Sequence, residues 1–258
     1  MSNQSKVTLQ VPDSLGDITL GQYQKYLKII EANEGDDNAA EFINLKTIEI
    51  FCDIEFKDVL SIPLGEAEKV LSIISKAFGE KPELIRHFKL LDVDMGFIPS
   101  LETISLGEYI DVENNVSDWQ TMHKAMAVLF RPVNFRSKER YTIAPYEPSD
   151  EVSELMKEMP LDVAMSSMVF FLRFRDGVTE SYSDLYTEKS DGGTDLSAQA
   201  NFGSKWGWYQ SIYALAGGDV LKFDEVTQSP LFKCLTYLTF EKEKNELEAM
   251  MIKKAYKR

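Results

Sequence analysis

The chain has 258 residues, 44% hydrophobic and 27% charged, a balance typical of folded globular proteins and unlike that of disordered chains. Its 42 acidic against 28 basic residues give a formal charge of −14, a surface that repels phosphate backbones, so direct nucleic-acid binding is not expected. Two cysteines, Cys52 and Cys234, lie far apart amid apolar neighbours and read as buried thiols of a reducing compartment.

Residues 1–14 have neither a basic start nor an apolar run, so no secretory signal is expected. The most apolar stretch, 163–174, is interrupted by Ser166, Ser167 and Arg173 and is too short for a membrane span, which needs about 20 residues.

In chain order, residues 6–11 alternate polar and apolar and stop at Pro12, the pattern of a half-buried strand. Thr19 and Gln22 then form a capping box, each side chain satisfying a free backbone donor of the other, and open a helix to about Glu34. A second helix carries Leu45, Ile48 and Cys52 on one face. The next, 65–78, lines up Ala67, Val70, Ile74 and Ala77 as a core face. Pro82 is expected to open a short helix carrying His87. Residues 89–98 read as a strand or hairpin.

The chain then repeats a pattern. Leu15, Ile18, Leu20, Gly21 and Tyr23 recur as Leu101, Ile104, Leu106, Gly107 and Tyr109, with Ser105 for Thr19 and Glu108 for Gln22. Both stretches are capping boxes preceded by an isoleucine that can staple the first turn, so a duplication and a shared helix-entry solution both remain open.

A third box at Ser117 opens a helix striped by Trp119, Met122, Met126 and Leu129, which Arg131-Pro132 ends. Residues 138–146 read as an edge strand, because proline is excluded from the middle of a sheet. Met159-Pro160 starts the most buried helix, from Leu161 to Phe174. Residues 188–195 are polar and glycine-bearing, a loop or boundary. An aromatic helix led by Trp206-Gly207-Trp208-Tyr209 runs to Leu215 and breaks at Gly217-Gly218, and Ser229-Pro230 starts the last helix. The expected fold is therefore mainly α (α+β): a helical domain over 1–190 with a small antiparallel sheet from strands near 6–11, 89–98 and 138–146, and a helical segment over 200–258 packed on it.

Chemical motifs are scarce. His87 has no Ser, Cys or acidic partner near it in sequence, His123 sits beside the Trp119 stripe and is expected at a core edge, and two cysteines with two histidines so scattered do not make a zinc site. Asp92 and Asp94 lack the further oxygen ligands of a calcium loop. Phosphate loops, nucleophile elbows and zincin motifs are absent from the sequence. No catalytic residue, cofactor or metal is therefore expected. A hydrolase site assembled from scattered acids around His87, Asp92 and Asp94 is the alternative of another class. The aromatic cluster Phe202, Trp206, Trp208, Tyr209 and Tyr213 is the candidate protein-binding platform, since Trp and Tyr dominate interface energetics. Packing beneath the final helix is the competing account of the same rings.

Residues 205–219 and 241–246, with 122–132 and 159–164, resemble the C-terminal portion of tailed-bacteriophage tail assembly chaperones and small virion assembly proteins, over less than half the chain. The resemblance implies a non-enzymatic helical factor of the host cytoplasm that binds other phage proteins, such as a tape-measure protein, without nucleic acid or membrane. A structural subunit of tail, neck or baseplate, retained in the virion, remains open because this chain is longer than small chaperones.

Overall fold

A computed structural model of the chain describes residues 9–36, 38–138, 140–186 and 206–256. Contacts divide the chain into two compact units, Met1–Phe97 with Asn115–Phe170, and Ile98–Asn114 with Phe171–Arg258. The segments of the two units interleave along the sequence.

The first unit begins with helices α1 (Leu20–Ala32), α2 (Ala40–Phe51), α3 (Phe56–Val59) and α4 (Leu64–Ala77). On α4 the predicted face is the buried one at Val70, Ile74 and Ala77. A four-stranded antiparallel sheet follows in the order β1 (His87–Leu90), β2 (Val93–Phe97), β3 (Phe130–Ser137) and β4 (Arg140–Ile143). The strands expected near 89–98 and 138–146 are present. Of 6–11, residues 6–8 lie outside the described residues and 9–11 adopt no regular structure.

One expectation fails around this sheet, and one strand was not expected. Residues 80–86 are not helical, and His87 starts β1 opposite Gly96. Arg131-Pro132 does end helix α6 (Met122–Leu129), but the chain goes directly into β3, where Pro132 faces Met95. Proline, the third residue of β3, is accommodated beside a register shift between Val133 and Phe135, since bulged positions tolerate a missing N–H in a sheet. Gly96 is required by close approach: a Cβ there would lie 2.9 Å from Val133 Cγ2 and 3.0 Å from the Tyr141 ring. Tyr141 crosses the strand at this point to donate its hydroxyl to the Phe97 carbonyl at 2.7 Å.

Helices α7 (Asp150–Leu155) and α8 (Leu161–Ser181) complete this part of the chain, with the division between units inside α8. Phe97 and Phe130 are 1% and 0% exposed and meet edge to face at 5.3 Å, and Phe97 also meets Phe170 at 5.7 Å. Each such fully buried ring contributes about 1.5–3 kcal/mol. His123, expected at a core edge, is 4% exposed. Gln24 of α1 donates to its Nδ1 at 3.1 Å and to the Trp119 carbonyl at 2.7 Å, which fastens α1 to the entry of α6.

The second unit contains α5 (Leu106–Val116, through Asn114), the end of α8, α9 (Ser183–Tyr186), α10 (Trp208–Leu215), α11 (Phe223–Thr227) and α12 (Leu231–Tyr256). The break at Gly217-Gly218 falls where expected, with φ of +63° and +81°, a backbone region open to glycine at little cost. Residues 188–195 lie outside the described residues.

The repeated sequence pattern has the same surroundings in both units. Thr19 accepts from Gln22 N at 3.1 Å while Gln22 accepts from Thr19 N at 2.9 Å; Ser105 and Glu108 do the same at 3.2 and 2.8 Å. Ile18 and Ile104 are both buried. Thr19 bridges Pro160 and Ser105 bridges Pro230, through Leu20 N to Met159 O (2.9 Å) and Leu161 N to Ile18 O (2.8 Å) in one unit, and Leu106 N to Ser229 O and Leu231 N to Ile104 O (both 2.9 Å) in the other. A Cβ on Gly21 would stand 3.1 Å from the Cβ and the carbonyl oxygen of Lys157, and one on Gly107 would stand 3.1 Å from the same two atoms of Thr227.

The correspondence reaches the tryptophans. Tyr23 meets Trp119 edge to face (4.8 Å, 80°) and Tyr109 meets Trp208 likewise (5.7 Å, 81°). At the same offset from each tryptophan stand Ala125-Met126-Ala127 and Ala214-Leu215-Ala216. A helix-entry signal alone would not recruit the same partners, so the two units share one local architecture: a capped helix, a tryptophan-led helix and a Pro-Leu-started helix.

Candidate protein-binding face

Of the five predicted site residues, Phe202 lies outside the described residues. Trp206, Tyr209 and Tyr213 are 40%, 48% and 55% exposed. Tyr209 bridges Trp206 at 5.4 Å and Phe223 of α11 at 5.4 Å, so these rings form a connected exposed cluster. Trp208 behaves differently: it begins α10 just after Gly207, whose φ of +43° breaks the chain direction between the two tryptophans. It turns inward against Tyr109 and donates its indole N–H to Glu113 Oε2 at 2.6 Å. Exposure and inward packing therefore fall on different rings of the cluster.

Beside Trp208 lies a cleft of about 450 Å³ lined by Glu113, Leu185, Gly207, Ser211, Leu235 and Leu238. Burial raises the Glu113 pKa, while the Trp208 N–H and the positive charge of Arg175 oppose the rise. A second, smaller groove of about 180 Å³ lies between α10, α11 and α12, lined by Leu215, Val226, Ser229, Lys233, Cys234 and Tyr237.

The sequence of the final helix predicts a buried stripe of Leu231, Cys234, Leu235 and Leu238, and the structure buries Leu231, Cys234 and Leu235. What that reading missed is the opposite stripe: Tyr237, Phe240, Leu247 and Met251, all between 48% and 62% exposed. Their spacings of three, seven and four residues place them on one side of the helix, with Lys244 among them, a signal that the interleaved lysines and glutamates conceal.

Of the residues of the alternative hydrolase site, His87 stacks edge to face on Tyr141 at 4.3 Å and Asp94 lies 3.9 Å from Arg136. Cys52 and Cys234 are both buried, and burial raises the Cys52 pKa to about 11, which leaves it unreactive as a nucleophile. Among the described residues no three His, Cys, Asp or Glu side chains are grouped to hold a metal ion, and no helix is long and apolar enough to cross a membrane.

No family model, no curated protein and no solved structure matches the chain.

Proposed function

We propose that the protein is a non-enzymatic bacteriophage morphogenesis factor that binds other phage proteins in the host cytoplasm, most simply as a tail assembly chaperone. The observation that carries the reading is the exposed aromatic surface of the second unit, Tyr209 and Tyr213 on α10 with Tyr237 and Phe240 on α12. An amphipathic partner buries apolar surface there, at about 25 cal/mol per Å². The net charge of −14 limits self-association and keeps the loaded complex soluble. The identity of the partner as a phage tail protein rests on the sequence resemblance.

Co-expression with phage tail proteins, the tape-measure protein first, tests this reading. A tail protein that is insoluble alone is expected to become soluble and to co-purify. If none is solubilised or retained, the chaperone function is refuted, and recovery of the protein from purified particles would assign it to the virion as a subunit.

A further inference from the structure

Gln24 fixes which nitrogen of His123 carries the ring proton. Its Nε2 donates to the Trp119 carbonyl at 2.7 Å and lies 3.1 Å from His123 Nδ1. A carbonyl oxygen only accepts, so the amide must turn its nitrogen toward Trp119, and that same nitrogen then meets the imidazole. Nδ1 is therefore bare. The proton of the neutral ring sits on Nε2, which faces Glu154 Oε1 at 3.3 Å.

A second proton can enter only at Nδ1, where it sets N–H against N–H across the 3.1 Å contact. Gln24 can turn its amide over to offer oxygen, but the Trp119 carbonyl then faces oxygen and loses its donor. Both side chains are buried, so a lost bond is poorly replaced by solvent. Among the described residues, the charged groups acting on the ring are Lys124 of α6, Glu154 of α7 and Lys157 of the turn Met156–Glu158; α1 brings only the uncharged Gln24. Glu154 is already paired with Lys157, which leaves the added charge without a counter-ion of its own.

Either response breaks the side-chain bridge from α1 to the entry of α6. What then holds this joint is the Gln120 Nε2 bond to the Gln24 carbonyl at 3.2 Å and the Tyr23–Trp119 ring contact. The second unit shows that the architecture does not require the polar pair. Counting from Tyr109 and Trp208, it places Ile110 and Ile212 at the positions of Gln24 and His123, so its corresponding joint contains no titratable group at either position.

We infer that Gln24 and His123 form a proton-operated latch between α1 and α6, closed while the ring is neutral and opened locally when Nδ1 is protonated.

Hydrogen exchange of the full-length protein, read by NMR between pH 8 and pH 5, tests the latch. Protection of the α1 amides is expected to fall severalfold in step with the titration of His123, whose imidazole signals are assigned by their loss in His123→Gln. Protection of α5 and of the four-stranded sheet is expected not to fall with it. Imidazole nitrogen shifts at pH 8 place the proton on Nε2. Gln24→Glu reverses the sign: its carboxylate accepts from the imidazolium Nδ1–H, so α1 becomes better protected as pH falls. Gln24→Met fills the same space without an N–H and serves where Gln24→Glu does not fold; it lowers α1 protection at pH 8 and removes most of the acid-dependent loss. Four results overturn the inference: the ring proton on Nδ1 at pH 8, α1 protection that ignores the titration, a folded Gln24→Glu that keeps the wild-type sign, or an equal loss in α1, α4 and the sheet. The last would make His123 a determinant of global stability and no latch.

Discussion

Replacing either Gly21 or Gly107 by alanine is expected to destabilise its unit by a similar amount. Both glycines are the second residue of a capped helix, and at both an added Cβ would stand 3.1 Å from a side-chain Cβ and 3.1 Å from a backbone carbonyl oxygen of the segment before the Pro-Leu step. A carbonyl fixed in a hydrogen-bonded turn does not move aside as a flexible side-chain tip would. The helix must shift instead, at the 1–3 kcal/mol that overpacking typically costs. Alanine recovers about 0.5–1 kcal/mol of backbone entropy in a helix, leaving a net loss of up to about 2.5 kcal/mol. Gly65 is the matched control: it too is the second residue of a helix, and a Cβ there meets nothing within 4 Å, so Gly65→Ala is expected to stabilise by roughly 0.5–1 kcal/mol. Guanidinium denaturation followed by circular dichroism and tryptophan fluorescence measures all three. Trp119 and Trp208 report on the units of Tyr23 and Tyr109 respectively. If Gly21→Ala or Gly107→Ala gives the same gain as Gly65→Ala, the close approach does not constrain the helix entry and the argument fails.

Glu113 has a raised pKa in the fold, chiefly from burial, so its contribution to stability is full below the unfolded glutamate range and is lost as pH rises through the folded value. Glu113→Gln keeps an acceptor for the Trp208 N–H and removes that loss, so thermal melts against pH should run flatter. Glu113→Ala should fall below Glu113→Gln by about 1–3 kcal/mol, the cost of a half-buried donor without its partner. His123 has a lowered pKa, first from burial and then from Lys157, against the opposing pull of Glu154. The unfolded chain therefore binds a proton that the fold refuses, and stability should decline as pH falls below about 6.5; His123→Gln should reduce that slope, and an unchanged slope would show that other groups set it. Tyr213→Asp, at a position 55% exposed, should shift the melting midpoint little and weaken capture of a co-expressed tail protein; capture at wild-type level would remove α10 from the binding face.

The helices were readable because each carries its own local signal. Thr19 with Gln22, Pro160 and Pro230 each fix a start within a few residues, and the stripe on α4 identifies its buried face. The β1 strand was not readable as such: Leu84, Ile85 and Phe88 follow Pro82 at spacings that suit a helix as well as a strand, and the decision belongs to pairing with Val93–Phe97, which no local window contains. Likewise Arg131-Pro132 correctly marks the end of α6, yet whether the chain then turns or extends is decided by Gly96 and Tyr141 across the sheet. The candidate site was half legible. Aromatic composition drew attention to Trp206 and Tyr209, whereas the stripe Tyr237, Phe240, Leu247 and Met251 hides in a helix whose charges dominate its average. The placement of Gln24 and His123 where the second unit has Ile110 and Ile212 emerges only when two parts of one structure are laid side by side.

The interleaving of the units sets a timetable for synthesis. The capped entries at Thr19 and Ser105 each find their proline partner about half the chain later, and contacts so distant in sequence incur loop-closure entropy before they bring any return. A ribosome emitting the chain releases the second entry before the first has met its partner. Two nearly identical docking sockets then become available in order, Pro160 before Pro230. Exchanging them would place α5 where α1 belongs, a misassembly to which the near-identity of the two Leu-Gly-x-Tyr entries exposes the nascent protein. The buried contact between Gln24 and His123 is a discriminator: α5 carries Ile110 at the position of Gln24 and has no amide to offer that histidine.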